Sequence, residues 1–295
     1  MNQSTFVNAN AQAPCVSDNT PSDMVQAPFD APQATEVKED FGNLVRRIMY
    51  SNSGKFHKID SAPETKLEDA RKVMPVGNAD WTYYKNEAEA LAAYGNAMQA
   101  EQMWLSAYQI AESFHAQDPR LAYTIENLAS LYFALGDLER AEQFAQRAVA
   151  AYEAIYGPCH VRVANALNSL SGVYYSRGHY LDAEPVCVRA LTIYNKCYGS
   201  EHADVGMCAN NLGMVYHAQG KLGLAELLYQ RALPIRKKAL GNTHPAVTEL
   251  MDNLASVLEQ TNRLNRAEQV REDKKNSGVW HLFETRVPLR LNNAY

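Results

Sequence analysis

Histidine stands at positions 160, 202 and 244, 42 residues apart each time, and Asp118 occupies the same phase one step earlier. In that register other positions coincide: Leu128, Leu170, Leu212 and Leu254; Gly136, Gly178 and Gly220, with Asn262 in fourth place; and Ala141-Glu142, Ala183-Glu184, Ala225-Glu226 and Ala267-Glu268. A fixed period of this length means that one supersecondary unit is copied along the chain. Each copy buries its apolar face only against its neighbours, so the fold is an open stack and not a globule around one centre.

The unit reads as two helical segments joined by a tight turn. In the first, small and apolar residues recur at helical spacing, as in Leu128, Ala129, Leu131 and Tyr132, up to Gly136. A left-handed residue is needed there to stop the helix, and asparagine tolerates that conformation second only to glycine. The second segment, with Leu138, Ala141, Ala145, Ala148 and Tyr152, restores an apolar stripe on one face. Asp118-Pro119 and His244-Pro245 place proline at a first helical position, where its missing N–H costs least.

These residues resemble the tetratricopeptide repeat in the 42-residue form found in kinesin light chains. The pattern of small residues at the helix crossing, an aromatic, a turn glycine and two alanines is carried by Ala129, Tyr132, Gly136, Ala141 and Ala148. Ser171, Tyr174, Gly178, Ala183 and Ala190 carry it next, then Gly213, Tyr216, Gly220, Ala225 and Ala232. The usual unit has about 34 residues; the surplus, shared by both helices, lengthens each by about one turn, or ~6 Å. The fold class expected is all-α, a superhelical solenoid of antiparallel helix pairs.

Repeats are expected at 118–159, 160–201 and 202–243, with a terminal, capping unit at 244–276, where Lys274 replaces the alanine of the other units. Residues 81–117 read as a divergent first hairpin, since Ala88, Leu91, Gly95, Ala100-Glu101 and Ala107 fit after a one-residue deletion. Residues 1–40, rich in Asn, Gln, Pro, Ser and Thr, read as a disordered tail. Residues 41–80 read as a linker, and Val37, Phe41, Leu44, Val45 and Ile48 share one helical face at its start. That short amphipathic helix is open to docking on the first repeat, to binding another protein, or to staying unfolded. Residues 277–295 carry Trp280, Phe283, Val287, Leu289 and Leu291, too apolar for a solvated tail, and are expected to pack on the last hairpin or on a partner.

Several classes of function are disfavoured. Acidic residues exceed basic ones, 33 to 28, for a net charge of -5, which does not suit a polyanion, so no nucleic-acid partner is expected. No run of apolar residues is long enough to span a bilayer, and the opening MNQSTFVNANAQAPC lacks the features of a secretory signal, so a cytoplasmic location without membrane insertion is expected. Five cysteines form no CxxC pair and read as free thiols. No phosphate-cradle, zincin or nucleophile-elbow motif occurs, so neither catalysis nor a cofactor is expected. The periodic histidines sit one packing distance apart, ~8–10 Å, too far to share a metal bound at ~2 Å. They are expected to order the turns between units.

What the resemblance implies for function is a concave groove lined by the first helices, holding an extended peptide or a partner's helix. Position by position, the groove-facing site falls on Asn127, Ser169, Asn211 and Asn253, with Asn168, Asn210 and Asp252 beside it. An amide offers both donor and acceptor to a peptide backbone. Selectivity is expected one turn away, from Tyr123, Asn165, Met207 and Glu249, and from Phe133, Tyr175, His217 and Glu259. None of these is Lys or Arg, which disfavours a terminal carboxylate or acidic peptide. The alternative, that some of these asparagines only satisfy groups between helices, stays open. The function expected is therefore a non-catalytic adaptor or scaffold for a protein or peptide partner; a peptide-responsive regulator and an accessory subunit of an enzyme are the alternatives.

Overall fold

The computed structural model describes residues 78–115 and 117–284, with side chains from 80 to 277. Among these residues ten helices and no strand occur: α1 (Asn78–Ala93), α2 (Ala97–Ala111), α3 (Pro119–Leu135), α4 (Leu138–Tyr156), α5 (Val161–Ser176), α6 (Tyr180–Tyr198), α7 (Ala203–Ala218), α8 (Leu222–Leu240), α9 (Pro245–Gln260) and α10 (Leu264–Glu284). The main contacts join consecutive helices, with lesser ones between the first helices α3 and α5, α5 and α7, and α7 and α9. This is an all-α solenoid of helix pairs. The tail at 1–40, the amphipathic stretch near 41 and everything beyond 284 lie outside the described residues. α10 runs eight residues past the expected end of the last unit at 276, and α1 begins at Asn78, ahead of the expected start at 81.

The recurring histidine phase is the N-cap of each first helix. Nδ1 of His160, His202 and His244 accepts from the N–H of Arg162, Asp204 and Ala246 at 3.1, 3.3 and 3.2 Å. Asp118 does the same with a carboxylate oxygen, 2.9 Å from the Arg120 nitrogen. One of the donors orphaned at every helix start is thereby satisfied. Tyr156 stacks on His160 and Tyr198 on His202, with ring centroids 4.5 and 4.2 Å apart, which fixes the imidazole over the turn.

The turn within each hairpin is left-handed, with φ of 78° at Gly136 and 58° at Asn262, the single non-glycine with positive φ among the described residues. Behind each turn the Ala-Glu pair divides two tasks. Ala141, Ala183, Ala225 and Ala267 are sealed at the crossing, none more than 1% exposed. The glutamates reach forward to the turn of the next hairpin: Glu142 pairs with Arg177, Glu184 with Lys221 (2.7 Å) and Glu226 with Arg263. Glu101 holds Arg140 at 2.8 Å in the same way. Each such pair is worth little alone, ~0–1 kcal/mol, yet together they stitch every junction of the stack.

The divergent first hairpin is anchored by Trp81, buried, whose indole N–H donates to Thr124 Oγ1 at 3.0 Å. At the other end Lys274, standing at the alanine phase, reaches the Asp252 carboxylate at 2.5 and 2.7 Å. Cys159, Cys187, Cys197 and Cys208 are free thiols. Burial pushes the Cys187 thiol up to about 11, so it stays a protonated, small apolar group.

Two outcomes test this account. Ala183→Leu overfills the crossing of the third hairpin and should cost about 1–3 kcal/mol in chemical denaturation; an unchanged midpoint contradicts the register. The hydrogen bonds from Arg120 hold the Asp118 carboxyl below its ordinary value. A depressed native value stabilises above the unfolded carboxylate range and is lost as pH falls through the native one. Asp118→Asn should therefore be less stable by about 0.5–1 kcal/mol at pH 7, and denaturation curves of the two proteins should converge in acid.

A cleft on the first-helix face

The expected groove residues separate into two groups. Asn168, Asn210 and Asn211 are sealed, at 7, 2 and 2% exposure. Asn211 Nδ2 donates to Asn168 Oδ1 at 2.9 Å, tying α7 to α5, and Asn210 Nδ2 lies 3.7 Å from Met214 Sδ. Removing the Asn211 side chain disturbs helix packing before it touches any surface contact. Asn127 Nδ2 and Ser169 Oγ turn back to carbonyls of their own helices, on Tyr123 (2.8 Å) and Asn165 (3.2 Å). Tyr123 is half-buried between Trp81 and Trp104, its hydroxyl donating to Glu89 Oε1 at 2.6 Å. Phe133 is buried and Met207 half-buried. Asn165 Oδ1 accepts from the Tyr194 hydroxyl at 2.7 Å.

Three expected residues do meet. Tyr175 from α5, His217 from α7 and Asn253 from α9 line one cleft of about 340 Å³, together with Met214, Ala218, Tyr229 and Gln260. Two polar atoms there are buried without a hydrogen-bond partner among the described residues: the Tyr229 hydroxyl and Asn253 Nδ2. An unmet buried group of this kind costs about 1–3 kcal/mol. Burial pushes the Tyr229 phenol well above its ordinary value, reinforced by Tyr175 and the Glu249 carboxylate, so the hydroxyl keeps its proton. Tyr175 is raised as well, by burial first and then by Tyr180 and Glu249. The His217 and Gln260 Nε2 atoms are 2.9 Å apart, within hydrogen-bond distance. The His217 ring stands edge-on to Tyr229 at 81°, centroids 6.4 Å apart.

Tyr229 is the residue that the period alone did not single out. Its phase holds Ala145 and Cys187 in the preceding hairpins, and the position packed against it, Gly213, is Ala129, Ser171 and Ala255 elsewhere. A Cβ on Gly213 would lie 2.6 Å from the Tyr229 ring. The signal was in the sequence, but only as a pair: the crossing loses its methyl where the second helix gains a phenol. The neighbouring hairpins satisfy their own buried tyrosines, Tyr152 through Glu126 at 2.6 Å and Tyr194 through Asn165. At the phase of those tyrosines the fourth hairpin carries Arg236.

Residues 121–161 and 162–238 match two family models, both described as tetratricopeptide repeat. Residues 121–238 are tetratricopeptide repeats. Solved structures share this fold. BtubC (BKLC) from P. vanneervenii is 24% identical, with 72% of this chain and 84% of that one covered, at a TM-score of 0.63. A putative kinesin light chain from Podosopora anserina with nearly identical repeats is 19% identical over 68% of this chain and 95% of that one, TM-score 0.60. A Rap protein complexed with Competence and Sporulation Factor is 15% identical over 70% of this chain and 55% of that one, TM-score 0.55. No curated protein sequence matches the chain. Among the described residues, no helix is long and apolar enough to cross a membrane, and no group of three or more His, Cys, Asp or Glu is placed to hold a metal ion.

If Gly213 is small because Tyr229 is large, Gly213→Ala should destabilise by about 1–3 kcal/mol. Adding Tyr229→Cys, the residue of the preceding hairpin, should remove most of that cost. Thermal unfolding of the two single variants and the double variant measures the coupling, and strict additivity refutes it.

Proposed function

We propose that the protein is a non-catalytic, cytoplasmic interaction module, an adaptor or assembly scaffold that takes a peptide segment or partner helix on the face formed by its first helices. The observation that carries this reading is the cleft of about 340 Å³ between α5, α7 and α9, where Tyr175, His217, Asn253 and Gln260 come together. Ring faces and Met214 around it give adaptable apolar contact. The solved neighbours support the class: one of the similar structures, the Rap protein, is described as a complex with a factor.

A photo-reactive benzoylphenylalanine separates this face from the opposite one. Ser169 is exposed on α5, and Gln143 is exposed on the second helix α4. Irradiation of the full chain in its native cell should give a discrete adduct from position 169 and none from position 143. Adducts from 143 alone, or from neither position, would refute the proposal.

A further inference from the structure

Each second helix turns the same three phases to solvent. On α4 these are Glu139, Gln143 and Gln146, and on α10 Asn265, Gln269 and Glu272, all polar and exposed. On α6 they are Leu181, Pro185 and Val188, one exposed stripe at i, i+4 and i+7, with Leu181 78% exposed. On α8 Leu227 holds the middle phase, 63% exposed, and Leu224 stands beside it. Leu224 is on the side of α8 turned toward α6, because Arg140 at the same phase of α4 reaches back to Glu101 on α2. The five side chains make one apolar patch across the third and fourth hairpins, with polar phases on the hairpin at either side, the arrangement of a docking surface. Helix propensity gives no reason for Pro185, which stands inside α6. We propose that this patch is covered by the chain's own residues 37–48.

That stretch lies outside the described residues, and its sequence carries the complementary feature. Val37, Phe41, Leu44, Val45 and Ile48 share one helical face, while Glu39 and Arg46 fall on the opposite one. Glu36, Glu39 and Asp40 balance Lys38, Arg46 and Arg47, so no net charge opposes the contact. Residues 49–77 set the reach. Fully extended they span at most ~100 Å. The patch lies two to three hairpins from α1, at ~8–10 Å for each step between packed helices. It also lies one helix length, ~25 Å, across the stack, since α1 begins at the end away from the turns where Leu181 and Leu224 sit. Together these make ~40 Å, well inside the reach. The tether also selects this occupant over a second copy. Linkage makes the contact intramolecular, at an effective concentration on the order of millimolar, so a second copy competes only when the protein itself is that concentrated. The first-helix face stays open, and the proposal does not rest on its role.

Benzoylphenylalanine in place of Pro185, in the purified full chain at micromolar concentration, tests this. Irradiation should give an intrachain crosslink whose second peptide falls within residues 37–48, and isotope-labelled and unlabelled chains mixed beforehand identify any link between copies. Phe41→Asp combined with Leu44→Asp should cut the yield about tenfold, because a charge enters an apolar contact, with the helical circular dichroism retained. Leu227→Asp, on the patch itself, should cut it about as much. The pair at 41 and 44 lies outside the hairpins, so its outcome is independent of their folding. A crosslink between copies, a crosslink to any other segment, no crosslink at all, or a yield that ignores the substitutions at 41 and 44 overturns the proposal.

Discussion

No single hairpin of this chain can bury its own apolar surface. Two helices of 16 to 19 residues, such as α5 and α6, shield one stripe from water between them and leave others bare. The stack closes that deficit by bringing the next hairpin against the last. The approach must be close, so the crossings are made by residues without branches, and Ala141, Ala183, Ala225 and Ala267 are sealed there. The 42-residue recurrence in the sequence is the trace of this one requirement. Stability is then a sum of hairpin terms and nearest-neighbour junction terms.

Junctions need direction as well as contact. The cap at each first helix and the left-handed residue at each internal turn set where one helix stops and the next begins. The glutamate-to-cation links Glu142–Arg177, Glu184–Lys221 and Glu226–Arg263 hold successive turns in line. Polar groups in these positions are spent on the stack itself. Asn168 and Asn211 belong with them, because an amide pair sealed between α5 and α7 fixes the register of two neighbouring first helices and offers no surface to a partner.

How much of this was legible in the sequence follows from what is periodic. Helix pairing, turn glycines, the Asn262 turn and the ordering role of the histidines all repeat, and repetition exposes them without coordinates. The direction of one amide does not repeat. Successive residues on a helix point about 100° apart, so Asn210 and Asn211 fall inside while Asn253, in phase with Asn211, borders an open cleft. The difference is set by Tyr229, whose bulk is admitted by Gly213. The end of α10 escaped for the opposite reason: residues 271–277 read Arg-Glu-Asp-Lys-Lys-Asn-Ser, a helix with no apolar stripe to announce its length.

A repeat array can hold function only where it ceases to repeat, since a position fixed by stacking in every hairpin cannot also discriminate a partner. The fourth hairpin departs from the third at four inward positions. It has glycine at 206 and 213, where the third has Ala164 and Ser171, tyrosine at 229 and arginine at 236, where its predecessor has Cys187 and Tyr194. Both glycines are matched to side chains that would otherwise collide with a Cβ, Gly206 to Ile235 and Arg236, Gly213 to Tyr229. Helix propensity is given up twice in α7, at ~1 kcal/mol for each glycine, to seat residues that the neighbouring hairpins do without. Packing alone does not require the exchange at 229, because Ala145 and Cys187 fill the same phase in the preceding hairpins. What the exchange adjoins is the cleft lined by Tyr175, His217 and Asn253, the one place on the first-helix face to which the proposed binding is assigned.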